Sequence, residues 1–173
     1  RVLFRSPSGM PLARSMAAFV PRKGDGLVVE LGAGTGTVTR QLLDAGIAPR
    51  RLVVVEQSPV MASLLRERFP HLTVLEADAR WLGGCLPRDR QVDCIVSSLP
   101  LLSLNERVRN QIIRAMFEVL HEGGLLIQYT YSWRKVNAFL KDGFRCVGSC
   151  QVWHNVPPAR VFRFRREAGA RGR

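Results

Sequence analysis

The chain has 173 residues, 46% of them hydrophobic, and carries 26 basic against 14 acidic side chains, a net charge of +12 at pH 7. That length suits one domain, and the apolar content is ample for a sheet buried on both faces. A membrane-spanning helix is excluded, since no stretch approaches the roughly 20 apolar residues needed to cross a bilayer, and no signal peptide is read in it. The chain opens on Arg1, so the natural N-terminus is expected to lie further upstream. Cys85, Cys94, Cys146 and Cys150 lack Cys-x-x-Cys spacing and read as cytosolic thiols, with no metal expected. The charge is unevenly placed: residues 27–132 hold 11 basic and 11 acidic side chains, residues 1–26 contribute +4, and residues 133–173 contribute +8. A neutral core with basic ends points to a face aimed at an anionic partner, lipid surface or nucleic acid.

Taken in chain order, the first element is an apolar strand, Val28-Val29-Glu30-Leu31, running into Gly32-Ala33-Gly34-Thr35-Gly36. A helix opens at Thr37, with Val38, Leu42 and Leu43 as its apolar stripe, and ends near Gly46. Leu52–Val55 is a second strand that ends on Glu56, and Ser58 caps a second helix with Met61, Leu64, Leu65 and Phe69 toward the sheet. Leu72–Leu75 is a third strand and Val92–Val96 a fourth, which runs into Ser97-Ser98-Leu99-Pro100. A helix over roughly 106–120 follows, broken by Gly123-Gly124 before a fifth strand, Leu125–Tyr129. Phe144–Cys150 and Arg160–Arg165 read as two closing strands. The alternation predicts a single α/β domain over residues 1–173, with a mostly parallel seven-stranded sheet and helices on both faces. Residues 1–26 form a helical leading segment, 27–132 a ligand-binding core and 133–173 basic closing strands.

Strand, glycine turn, helix, strand and acid in this register form a nucleotide-binding βαβ unit. The glycines admit a ligand to the backbone, and Glu56 at the second strand tip accepts hydrogen bonds from ribose hydroxyls. The glycine spacing selects the ligand. A dinucleotide fingerprint places two residues before its third glycine, whereas here the glycines alternate behind Glu30, whose carboxylate repels a pyrophosphate and suits a cation. The run resembles the first motif of class I S-adenosylmethionine-dependent methyltransferases, which have a Rossmann-like fold and whose cofactor carries an ammonium and a sulfonium. That resemblance implies cofactor contacts from Glu30, Gly32, Ala33, Gly34, Gly36 and Thr37. It adds Glu56 for the ribose, Gln57 at the border of the adenosine, Asp78 and Ala79 for the adenine, and Ser97 at the fourth strand tip.

The loop after the fourth strand, Ser97–Leu104, partly resembles the Asn-Leu-Pro-Tyr loop of ribosomal RNA adenine dimethylases, which makes an RNA adenine N-methyltransferase the alternative reading. Serine stands for the asparagine and Leu101 for the aromatic residue, and losing a stacking platform forfeits roughly 1–3 kcal/mol per base. An apolar loop of Ser98, Leu99, Pro100 and Leu101 better suits an acceptor with an acyl chain. With Pro7-Ser8, Leu12–Ala17, Gln128-Tyr129-Thr130-Tyr131 and Asn155–Val161, the chain resembles the soluble bacterial phospholipid N-methyltransferases. The resemblance implies stepwise methylation of phosphatidylethanolamine to phosphatidylcholine at the cytoplasmic face of a bacterial inner membrane, on an anionic surface, with no stable nucleic acid partner. Family members usually carry an amphipathic membrane-binding helix upstream of the segment where this chain begins. Tyr131, Tyr129 and His154 are then the candidates for orienting the amine or relaying its proton. Trp133 is expected to hold cationic intermediates by cation–π attraction, and Arg134 and Arg160 to bind the lipid phosphate.

Overall fold

Both faces of the central strands are apolar in sequence, so each must be covered, and helices cover them. The computed structural model describes residues 9–131, 139–140, 143–153 and 158–169. The elements are α1 (Met10–Ala18), β1 (Leu27–Leu31), α2 (Thr37–Asp44), β2 (Leu52–Glu56), α3 (Pro59–Arg68), β3 (Thr73–Glu76), α4 (Leu82–Cys85), β4 (Val92–Ser97), α5 (Glu106–Val119), β5 (Leu120–Thr130), β6 (Phe144–Val152) and β7 (Ala159–Arg166). The seven strands lie in the order β3-β2-β1-β4-β5-β7-β6. β1 to β5 are parallel, and β6 and β7 close the sheet antiparallel. This is the Rossmann-like α/β fold expected from the sequence.

The core has two layers. Val28, Val54, Cys94, Val96, Ile127 and Tyr129 pack with α1, α2 and α3, while Val29, Val53, Ile95, Leu126, Phe162 and Phe164 pack with α4 and α5. The order reverses at β1, which has β2 on one side and β4 on the other. A crevice beyond the carboxyl ends of β1 and β4 is where such a sheet receives its ligand. At the opposite end, the buried Arg51 ties three segments together: its Nε donates to the Gly26 carbonyl at 2.8 Å and Nη1 to the Arg22 carbonyl at 3.1 Å, while Nη2 lies 3.6 Å from Asp93.

Two local expectations change. α5 passes directly into β5 at Leu120, so Gly123-Gly124 does not end the helix. The glycines lie inside the strand, where pairing jumps from Val92–Leu120 to Cys94–Leu125, and Gly123 takes φ +80° to make that excursion. On α3 the buried seam is Ala62, Leu65 and Phe69, whereas Leu64 is exposed. Spacings of three and four from Ala62 turn Leu64 away from the sheet.

Candidate active site

Glu30 is the fourth residue of β1, and its side chain is buried on the α2 side of the sheet. Thr39 in α2 donates to its Oε2 at 2.7 Å, while Oε1 has no partner. Burial pushes the carboxyl up from 4.5 to about 7, against the Thr39 hydrogen bonds and helped by the negative charge of Glu56. Thr39 was not singled out in the sequence. The signal was a hydroxyl beside Val38 on a helix stripe that otherwise faces the core.

Glu56 holds the glycine turn. Its Oε2 accepts from the Gly34 N–H at 2.9 Å and its Oε1 from the Ser58 N–H, also at 2.9 Å. Each oxygen keeps further lone-pair capacity for a ligand hydroxyl. Gly34 has φ +54°, and no atom lies within 4 Å of where its Cβ would stand, so the backbone is open to an incoming ligand. Gly32 is closed instead: a Cβ there would meet Leu99 Cδ2 at 2.5 Å. Ala33 is buried, and Gly36 precedes α2, which opens at Thr37.

A cavity of about 320 Å³ runs along this rim, lined by Gly32, Val55, Glu56, Gln57, Ala77, Asp78, Ala79 and Arg80 on one side and by Leu99, Pro100, Leu104, Val108 and Ile112 on the other. Asp78 sits in its wall, held by Arg80. The Arg80 backbone N–H donates to Oδ1 at 2.9 Å, the guanidinium donates to Oδ2 at 2.6 and 2.9 Å, and Gln57 reaches Oδ2 at 3.3 Å. The Arg80 hydrogen bond holds the Asp78 carboxyl below its usual range. The apolar strip from Leu99 to Ile112 gives a flat aromatic base a face to lie on.

The acceptor loop differs from expectation at two positions. Leu101 is fully buried among the α5-side core residues, because the 3₁₀ turn Leu101–Ser103 rotates it inward, so it does not line an opening. Ser97 is likewise buried, off the cavity wall, and neither its Oγ nor that of Ser98 has a partner. Leu99 and Pro100 do line the cavity. Tyr129 is a core residue whose Oη reaches to 3.5 Å from the Ser98 carbonyl. Tyr131 lies just past the end of β5, partly exposed and edge-on to Tyr129 with ring centroids 5.4 Å apart. Arg160 is on β7, with its guanidinium 5.5 Å from the Phe162 ring centroid. His154, Trp133 and Arg134 lie outside the described residues. Among the described residues no cluster of His, Cys, Asp and Glu is arranged to hold a metal ion.

These features fit S-adenosylmethionine. The open backbone at Gly34 admits the ligand, and Glu56 and Asp78 offer oxygens along one cavity, while Glu30 keeps an unpartnered acceptor that suits an ammonium but is buried and, like Ser97, does not line that cavity. A family model described as a methyltransferase domain matches residues 28–124. The ornithine lipid N-methyltransferase of Singulisphaera acidiphila is 33% identical over 162 residues, which cover 91% of this chain and 84% of that protein. The chain spans about half the length of several uncharacterised methyltransferases that it also matches. Among solved structures, TrmN from Thermus thermophilus superposes with a TM-score of 0.77 at 21% identity, over 94% of this chain and 52% of that one. The N-methyltransferase NodS from Bradyrhizobium japonicum WM9, in complex with S-adenosylhomocysteine, superposes at 0.70 with 17% identity, over 91% and 84%. Fold, glycine turn and family match agree, and the chain belongs to the class I S-adenosylmethionine-dependent methyltransferases.

Proposed function

We propose that the chain methylates the primary amine of a membrane lipid head group, taking phosphatidylethanolamine and its mono- and dimethyl derivatives toward phosphatidylcholine. The observation that carries this reading is the similarity, over 91% of the chain, to a protein named for N-methylation of ornithine lipid, another lipid bearing a primary amine. The loop behind β4 supports it. A flipped base needs an aromatic platform, and the residue in that position, Leu101, is turned into the core.

The chemistry asks little of the protein beyond alignment and a neutral amine. S-adenosylmethionine supplies a methyl group on a sulfonium, which is electrophilic without further activation. Glu30, Glu56 and Asp78 orient the cofactor from three strand tips. On this reading the apolar loop of Leu99 and Pro100, which lines the cofactor cavity, also borders the acceptor, excluding water and favouring the uncharged amine. We assign the hydrogen bonds that orient this amine to Tyr131, the partly exposed candidate just past the end of β5. The ring of Tyr131 offers a face to the methylated, cationic head group. Basic ends draw the protein to the anionic cytoplasmic surface of a bacterial inner membrane.

Methyl-labelled S-adenosylmethionine offered with vesicles of phosphatidylethanolamine and phosphatidylglycerol, and separately with ornithine lipid or protein-free ribosomal RNA, tests this. Label in ethanolamine lipid, migrating as mono-, di- and trimethyl species, is the expected result. Label in ornithine lipid alone would replace the substrate but keep the class. Label confined to RNA would overturn the reading.

A further inference from the structure

Two consecutive carbonyls of the loop behind β4 are gripped from the neighbouring strand. Gln128 is almost wholly buried, and its Nε2 donates to the Leu99 carbonyl at 3.1 Å and to the Tyr129 carbonyl at 2.9 Å. Both partners can only accept, so the orientation of the amide is forced and Oε1 is the atom left over. That oxygen has no partner. Ser97, with its own unpartnered Oγ, stands beside Gln128 in the β4–β5 register. Tyr129 points to the opposite face of β5, where its hydroxyl approaches the Ser98 carbonyl. One strand therefore holds Ser98 and Leu99 from both faces of the sheet.

An amide at this place is a poor choice for stability. Its layer is built from Leu126, Phe162 and Phe164, and a buried acceptor without a partner is destabilising. What the amide gives in return is the aim of the loop. The Leu99 side chain lies against Gly32, and the Ser98 N–H donates to the Leu31 carbonyl at 2.9 Å, so this short segment spans from the glycine turn to β5. The Leu99 carbonyl takes the Leu101 N–H of its own loop at 2.8 Å and the Gln128 amide from β5, so Gln128 is the contact that ties this carbonyl to the neighbouring strand.

We infer that Gln128 is a positioning residue for methyl transfer. Acting through the Leu99 main chain, it fixes Ser98–Pro100 at a set distance from the cofactor turn, so that an amine bound against this loop meets the methyl group in line. The inference rests on the amine-methylation reading above.

The test compares the full chain with Gln128→Met, which keeps the length of the side chain and removes both donors, and with Gln128→Glu, which sets a carboxylate against two carbonyls. Without cofactor, the backbone amides of residues 98, 99 and 101–104 should exchange hydrogen about tenfold faster in the methionine variant, while its melting temperature is unchanged or higher. Affinity for S-adenosylhomocysteine by calorimetry should stay within about twofold. On phosphatidylethanolamine vesicles kcat should fall by about tenfold or more with lipid KM little changed, since alignment is lost and not binding. The glutamate variant should show the same effects more strongly, and if it does not fold the methionine variant alone decides. Wild-type exchange in the loop, a wild-type kcat, or a loss of cofactor affinity in step with a lowered melting temperature would each overturn the inference. A wild-type chain that labels no lipid amine would instead overturn the proposed function, and the exchange measurement would still decide whether Gln128 holds the loop.

Discussion

Glu30 titrates close to neutrality because its carboxylate is sealed from water with only Thr39 to stabilise the charge. Its folded value, about 7, lies above the ordinary 4.5. Between those pH values the folded chain therefore holds more proton than the unfolded one. The contribution of Glu30 to stability is complete below about 4.5 and is lost as pH rises to about 7. Cofactor binding should run the other way, since an ammonium is held by the carboxylate and not by the acid. Affinity for S-adenosylhomocysteine should rise about tenfold between pH 6 and pH 8 for a group titrating midway, and calorimetry across that range checks it. Glu30→Gln should flatten this dependence. Thr39→Val should move its midpoint upward, because the hydrogen bond that favours the charged form is gone. An unaltered profile in Glu30→Gln would assign the titration to another group.

At the level of elements, the βαβ unit was legible because each part of it is a local requirement. Alternating glycines are demanded by positive φ at a strand end, and the acid follows at the tip of the next strand to take the Gly34 N–H. The acceptor loop was less legible. Whether Leu101 faces out or in depends on a three-residue 3₁₀ turn, and Gln128 meets Leu99 only through the pairing of β4 with β5, which no local pattern announces. The Asp78–Arg80 pair was missed for a different reason. It is local, but a charged neighbour two residues away reads as ordinary surface until its backbone and guanidinium are both seen on one carboxylate. From the buried state of Leu101 it follows that Leu101→Tyr should not build a stacking platform. The larger ring overfills the layer around Ile112 and Met116, costing about 1–3 kcal/mol in denaturant unfolding. An unchanged midpoint would mean that the loop can turn this residue outward.

At the scale of the molecule, the sheet keeps chemistry at one end and structural fastening at the other. Arg51 is buried at the fastened end and bridges carbonyls of Arg22 and Gly26 to Asp93. Arg51→Met should cost about 1–3 kcal/mol, as expected when the Gly26 and Arg22 carbonyls lose a charged donor, with cofactor affinity of the folded fraction unchanged. Equilibrium unfolding with calorimetry on the same sample separates the two. The basic C-terminal strands are less free than their composition suggests. Arg163 lies over Phe19 and Arg166 over Phe117, while Arg145 pairs with Glu167. Vesicle binding driven by the remaining charge should grow with anionic lipid content and weaken with salt, over a screening length of about 8 Å at physiological ionic strength.

Leu99 has its side chain against the glycine turn and its carbonyl tied to β5, so the loop is set before either ligand arrives, and on the proposed reading the bound cofactor supplies the remaining wall of the acceptor's place. The consequence is kinetic. The two substrates should add in a compulsory sequence, cofactor leading and lipid following, with the demethylated product leaving last. Steady-state inhibition by S-adenosylhomocysteine should then be competitive against the methyl donor and noncompetitive against lipid, while a non-reactive amine lipid should be uncompetitive against the donor. Competitive behaviour of each inhibitor against its own substrate alone, with no such asymmetry, would mean random addition and an acceptor place that needs no cofactor to complete it.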